Sequence, residues 1–308
     1  MTPIDMALLY SWDVRIDVLL TLTLLGALQF RGWMRLRRRG AVRFANGWRL
    51  ASYMAGLLVL AIALMSPIDL FSDQLFFMHM IQHLLLMMVA PPLLWLANPF
   101  ATGLWGLPRS WRLTVGDWFQ GNSRLRPILR RLTAPGIAWM LFIVALLGWH
   151  DPHAYDLALR NEWVHNLEHL TFFVTAMLFW WHVVGAGPQI HGRMHPFLRI
   201  VYVLAAVPPN MLLGVAISLA NAPIYIYYTT MPRIFGLSVM DDQTLGGLIM
   251  WIPGSMMYIV AALVLIARLF GNDRARPMPE GVHADGEQEA GALSLYRPGA
   301  GHLPSHGD

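Results

Sequence analysis

The sequence predicts an all-α, polytopic membrane protein: a bundle of seven transmembrane helices with the N-terminus outside. Three observations carry that expectation. The 308 residues are 56% hydrophobic and only 13% charged, whereas soluble domains carry about 25% charged residues. Seven apolar stretches recur along the chain, most of them near the ~20 residues that cross a hydrocarbon core of about 30 Å. The 22 basic residues, all arginine, fall into loops that alternate between arginine-rich and arginine-poor, as in a positive-inside topology.

The stretches lie at residues 14–31, 50–67, 75–96, 134–150, 163–184, 197–220 and 245–268. Asp5 and Asp13 stand where a signal peptide would be basic, so the first stretch is expected to be a retained span, weakened by Asp17 near its start. Pro91–Pro92, Pro208–Pro209 and Pro253 interrupt later stretches and predict kinked helices whose freed backbone groups are satisfied by neighbours. Between the first two stretches lie Arg31, Arg35, Arg37, Arg38, Arg39, Arg43 and Arg49. Between the third and fourth lie Arg109, Arg112, Arg124, Arg126, Arg130 and Arg131, against Asp117 alone. The fifth loop adds Arg193, with Arg199 just inside the next stretch. The intervening loops carry Asp69 and Asp73; Asp151, Asp156, Arg160 and Glu162; and Arg233, Asp241 and Asp242. The odd loops and the C-terminus are therefore expected to be cytoplasmic. The net charge of +4 follows from this topology and gives no reason to expect a nucleic-acid partner; membrane lipid is the expected surroundings. Residues 1–270 are read as the seven-helix domain. Residues 271–308, rich in Gly, Pro and acid, are read as a disordered cytoplasmic tail in which His283, His302 and His306 are solvated.

The chemistry lies in the histidines. "HMIQH" places His79 and His83 one helical turn apart at the outer end of the third span, and "HNLEH" places His165 and His169 likewise on the fifth. An i,i+4 pair lies on one helix face. Ionisable groups within membrane helices are costly and turn toward the bundle interior or a cavity. If the two helices are neighbours, four imidazoles converge in the outer leaflet, and "WHDPHAYD" brings His150 and His153 to the same side. A lone histidine here could equally be a packing residue. Two pairs at matched spacing and depth point to metal ligation. With no cysteine, disulfides, thiolate sites and a catalytic thiol are excluded. The remaining imidazole donors suit copper, zinc, iron or nickel, with haem as a further alternative. Met78, Met80, Met87 and Met88 flank the first pair but are read as packing. "HNLEH" also fits the H-x-x-E-H pattern of zinc hydrolases. Beside a second histidine pair at a helix mouth, Glu168 is read instead as an outer partner that fixes an imidazole tautomer, or as a direct ligand. His182, beside Trp180 and Trp181, is read as an interfacial anchor, and His191 and His195 as loop residues.

"HMIQHLLLMMVAPPLL", "WHDPHAYDLAL" followed by "HNLEHLTFF" and "WW", and "DQTLGGLIMWIPG" together resemble the CtaG-type multispan family of bacterial cytochrome c oxidase assembly factors, over about residues 10–270. The resemblance implies a seven-helix protein of the bacterial plasma membrane, a copper ion as cargo, oxidase subunits as partners, and no catalysis. It maps the family's pattern onto His79, His83, His150, His165 and His169, with Asp241 and Gln243 at the seventh span; His153 lies outside it. The expected function is copper binding at the outer-leaflet histidines and delivery to the oxidase. The alternative is a haem- or metal-binding redox membrane protein, whose histidines would hold haem axially. A channel is disfavoured because the inner halves of the third and fifth spans are apolar.

Overall fold

A computed structural model describes residues 11–41, 45–119, 123–188, 190–192 and 194–274. Asp5, Arg43, Arg193 and the part of the expected tail from residue 275 onward, with His283, His302 and His306, lie outside the described residues. One unit spans Met1–Leu269 and a second begins at Phe270. The described residues are helical, without strands. In chain order the helices are α1 (Ile16–Arg38), α2 (Gly47–Met65), α3 (Pro67–Ser72), α4 (Phe76–Leu96), α5 (Pro99–Gly106), α6 (Arg109–Trp118), α7 (Leu125–Leu132), α8 (Pro135–Trp149), α9 (Pro152–Arg160), α10 (Glu162–Val184), α11 (Pro196–Ser218) and α12 (Val239–Phe270).

Five of these, α2, α4, α10, α11 and α12, are long and apolar enough to cross a membrane. A sixth is reached if α7 and α8 count as one span bent by 51°; alone, the 15 residues of α8 rise only about 22 Å. The expected first span is the helix α1, but Asp17 at its start and Arg35, Arg37 and Arg38 in its last turn leave it outside that set. Helix α12 starts before the expected boundary because Ser238 and Asp241 form a reciprocal capping box there.

Two of the three proline breaks became π-helical turns, Leu85–Val89 in α4 and Met250–Gly254 in α12, and the third, at Pro208–Pro209, follows an interruption between Leu204 and Val207 within α11. A proline lacks the N–H that would bond the preceding turn, and in a membrane interior the freed carbonyls need another donor. Trp180 Nε1 of α10 donates to the Met87 carbonyl at 2.8 Å. Asn210 Nδ2 of α11 donates to the Met250 carbonyl at 2.9 Å and to Ser255 Oγ at 3.2 Å. Both defects thereby lock neighbouring helices together. Trp95 Nε1 adds a bond to the Met177 carbonyl at 2.8 Å, so α4 lies along α10. Small residues set the other close contacts: a Cβ on Gly214 would meet the Gly247 carbonyl at 2.8 Å, so α11 and α12 touch backbone to backbone. The core against which these helices pack is aromatic, with Phe76, Phe142, Phe172, Phe179 and Tyr258 at most 1% exposed.

Candidate metal centre

Helices α4 and α10 are neighbours, and their N-terminal turns bring both histidine pairs together. Ring centroids of His79 and His83 are 4.2 Å apart, as are those of His165 and His169. Across the helix gap, His79 lies 5.2 Å from His165 and 5.9 Å from His169, and His83 lies 5.5 Å from His169. His150, at the end of α8, joins them 6.0 Å from His83. Glu168 enters from α10, with Oε1 3.5 Å from His83 Nε2 and Oε2 4.0 Å from His79 Nε2. His79, His83 and His169 have ligand atoms within 4.8 Å of one another, and so do His79, His165 and Glu168. Apart from His165, which is half-buried, these side chains are buried, and Glu168 is 0% exposed.

The hydrogen bonds around this cluster fix what it can do. Tyr228 donates its one hydroxyl proton to the Ser72 carbonyl at 2.9 Å. Its oxygen then accepts, from His79 Nδ1 at 3.2 Å and from Tyr155 at 3.2 Å. His79 therefore carries its proton on Nδ1 and turns a bare Nε2 lone pair into the cluster. His150 is held the same way, its Nδ1 donating to the Leu146 carbonyl at 2.7 Å. The Nε2 atoms of all five histidines, and both oxygens of Glu168, are buried without a hydrogen-bond partner among the described residues. His79 and His150 thus present bare acceptors, while His83 has no hydrogen-bond partner among the described residues for either ring nitrogen. Buried polar groups are normally paired, and an uncompensated buried carboxylate costs several kcal/mol. A cation coordinated by these atoms satisfies them together.

The outer frame comes from residues that the sequence did not single out for this role. Leu75, which caps α4, has no side-chain bond to offer. Asp242 supplies it from α12, its carboxylate accepting the Phe76 and Phe77 N–H groups at 3.1 and 2.9 Å, with Arg233 Nη1 at 3.4 Å behind it. Gln82, on the turn between His79 and His83, donates to the Ala63 carbonyl at 2.8 Å and to Asp69 Oδ1 at 2.5 Å. Burial pushes the Asp69 carboxyl up from 3.8 to about 6, against the opposing effect of the Gln82 bond. Gln243 accepts from the Ile224 N–H at 2.7 Å and donates to the Ile217 and Ala222 carbonyls, both at 3.3 Å. It thereby holds the loop that carries Tyr228. Tyr155 and Tyr228 are fully buried.

Other candidates lie elsewhere. Asp241 is exposed, and its carboxylate is engaged by Ser238 at 2.6 Å in the capping box; the inward-facing acid is its neighbour Asp242. His153 is exposed on the first turn of α9. His182 bonds the Thr133 carbonyl at 2.8 Å, and Thr133 Oγ1 lies 2.8 Å from His191 Nε2, a satisfied group at the far end of α10. Beneath the cluster is a cavity of about 30 Å³ lined by Met80, His83, Met87, Met88, His150 and Met250, among others. That is room for a water-sized occupant, beside three of the methionines expected to be packing.

Residues 27–272 match the family described as cytochrome c oxidase caa3 assembly factor. Among curated proteins, the chain is similar to the uncharacterized protein Mb0105 of Mycobacterium bovis, at 27% identity over 276 residues, covering 86% of this chain and 40% of that protein. It is also similar to the uncharacterized protein ML1998 of Mycobacterium leprae, at 26% identity over 291 residues, covering 90% of this chain and 42% of that one. The chain thus spans about two fifths of the length of the relatives it matches. No solved structure matches. With the match running through α4, α10 and α12, the chain belongs to the cytochrome c oxidase caa3 assembly factor family.

Proposed function

We propose that this chain is a copper-handling assembly factor, which binds the ion at His79, His83, His165 and His169, with His150 and Glu168 beside them, and passes it to a cytochrome c oxidase subunit. The observation that carries the reading is the convergence of buried, unpartnered polar atoms: five imidazole Nε2 atoms and two carboxylate oxygens gather with no hydrogen-bond partner among the described residues. Imidazole with nearby thioether and no thiolate suits copper. Tyr228 and the Leu146 carbonyl act as the outer partners that orient ligating imidazoles. A haem does not suit rings packed 4.2–6.0 Å apart, because the macrocycle needs a slot between its axial ligands.

In this reading the bundle sits in the bacterial plasma membrane with α1 and the α7–α8 pair completing seven spans. The N-terminus and the histidine cluster are extracytoplasmic, and the arginine-rich loops and the region after residue 270 are cytoplasmic. Ion transfer alters no covalent bond, so the role is not enzymatic. The test is metal content of purified protein: wild type against His79→Ala/His83→Ala and His165→Ala/His169→Ala. Loss of copper from both variants supports the assignment, and equal copper in all three overturns it. In a deletion strain, oxidase polypeptides made without their copper support delivery; a fully metallated oxidase refutes it.

A further inference from the structure

A second concave site lies beyond the C-terminal end of α4, away from the histidines. It is an open cavity of about 390 Å³ lined by Arg35, Arg38, Arg39, Trp105, Arg109 and Arg112. We propose that it is a binding site for the phosphate-bearing headgroup of an anionic phospholipid.

The geometry is built rather than incidental. Gly32 of α1 and Gly106 of α5 let the two helices meet backbone to backbone; a Cβ on Gly32 would lie 2.9 Å from the Gly106 nitrogen. That contact brings Arg35 Nη1 to the carbonyls that end α5, at 2.9 Å from both Trp105 and Leu107. Trp105 then forms a floor over which two further guanidiniums sit, Arg112 Cζ at 4.2 Å and Arg39 Cζ at 4.8 Å from the ring centroid. Cation–π contact holds arginine planes in place but neutralises nothing. Among the described residues, none of these five arginines forms an ion pair with a carboxylate. Five like charges gathered around one cavity repel one another unless an anion sits among them, and guanidinium forks match phosphate oxygens in geometry.

The surroundings select a lipid over a free ion. Helices α6 and α7 are short and expose Trp111, Leu113, Trp118, Leu125, Ile128 and Leu132 between their arginines, as helices lying in the headgroup layer do. The cavity opens where α6 begins, at Arg109 and Arg112. Basic pockets between membrane helices take anionic headgroups in this way.

The test uses the full-length protein, delipidated in detergent and titrated with phosphatidylglycerol or phosphatidylcholine under native mass spectrometry. Wild type is expected to retain phosphatidylglycerol at least about tenfold better. Arg39→Gln/Arg112→Gln should lose most of that preference, while Arg130→Gln/Arg131→Gln on α7 keeps it. Arg35 is left intact because it ties α5 to α1; if the first variant melts below wild type, Arg38→Gln/Arg109→Gln serves in its place. Equal retention of both lipids overturns the proposal, as does an unchanged preference in the pocket variants or an equal loss in the α7 control. Millimolar inorganic phosphate that occupies the pocket and is not displaced by phosphatidylglycerol overturns the lipid as its source.

Discussion

Glu168→Gln separates a metal site from an internal ion pair because the two readings give opposite signs. The carboxylate is fully buried, its oxygens 3.5 and 4.0 Å from His83 and His79 Nε2, and neither oxygen has a hydrogen-bond partner among the described residues. Without metal, glutamine keeps the volume, carries no charge and brings two N–H donors toward imidazole nitrogens that lack partners among the described residues. Relieving unsatisfied buried groups is worth about 1–3 kcal/mol, or a few degrees in melting temperature for a chain of this size. With metal the sign reverses. A carboxylate about 4 Å from a unit charge gains at most about 4 kcal/mol at an effective dielectric of 20. After desolvation, a loss of about 10–100-fold in copper affinity is expected. The assay is thermal melting of detergent-purified wild type and variant with and without copper, alongside competition against a copper chelator. The variant should melt higher when empty and gain less on loading. A variant that melts lower when empty and binds copper as tightly as wild type would show that Glu168 pairs with a protonated histidine, and the cation argument would fail.

Other outcomes follow from the frame around the cluster. Asp242→Ala removes the acceptor for two N–H groups at the start of α4 and should cost about 1–2 kcal/mol, read by melting, with a weaker copper affinity because His79 lies one turn on. Trp180→Phe strands the Met87 carbonyl inside the bundle and should cost about 1–3 kcal/mol, read by detergent unfolding; no change would mean that the π turn needs no outside donor. Because the native Asp69 carboxyl is raised to about 6, the folded state holds its proton more tightly than the unfolded chain. Its contribution to stability is therefore greatest below about pH 4 and is lost as pH rises through about 6, by up to about 3 kcal/mol before solvent screening. Asp69→Asn should flatten that part of the melting profile between acid and neutral pH and raise stability at pH 7; parallel profiles would refute the assignment.

The histidine pairs were legible because spacing and topology suffice: i,i+4 fixes a helix face, and alternating arginines predict which ends share a level. What the spacing could not supply is adjacency. That α4 lies along α10 depends on Trp180, Trp95 and the π turns, whose partners are 93 and 82 residues away. At the seventh span the inward-turned acid is Asp242, the neighbour of the expected Asp241, and the sequence held the signal: Ser238 followed three residues later by Asp241 is a capping-box spacing, which commits Asp241 to its own helix and leaves Asp242 to turn inward. Tyr228 had no such signal, since "YIYYTT" reads as an aromatic loop at an interface. The first span was the weakest on composition, and its charged ends keep α1 outside the set of helices that are apolar enough by themselves.

The restraints on the cluster all come from outside it. His79 is held through Tyr228 and Ser72, His150 through the Leu146 carbonyl, and the start of α4 through Asp242. Tyr225 donates to the His150 carbonyl at 3.2 Å. None of these bonds uses an Nε2 atom or a Glu168 oxygen. A packing cluster would satisfy those atoms against one another, and nothing would remain to bind. Here the frame holds His79, His150 and the start of α4 while the inner atoms are left unpaired among the described residues, so an ion would find these ligands already placed and would leave them in place on departure. That suits a carrier, which must collect and release without refolding. It also sets a measurable limit: hydrogen exchange in α4 and α10 should change little on copper loading, and extensive new protection along either helix would show that the site is assembled by the ion instead.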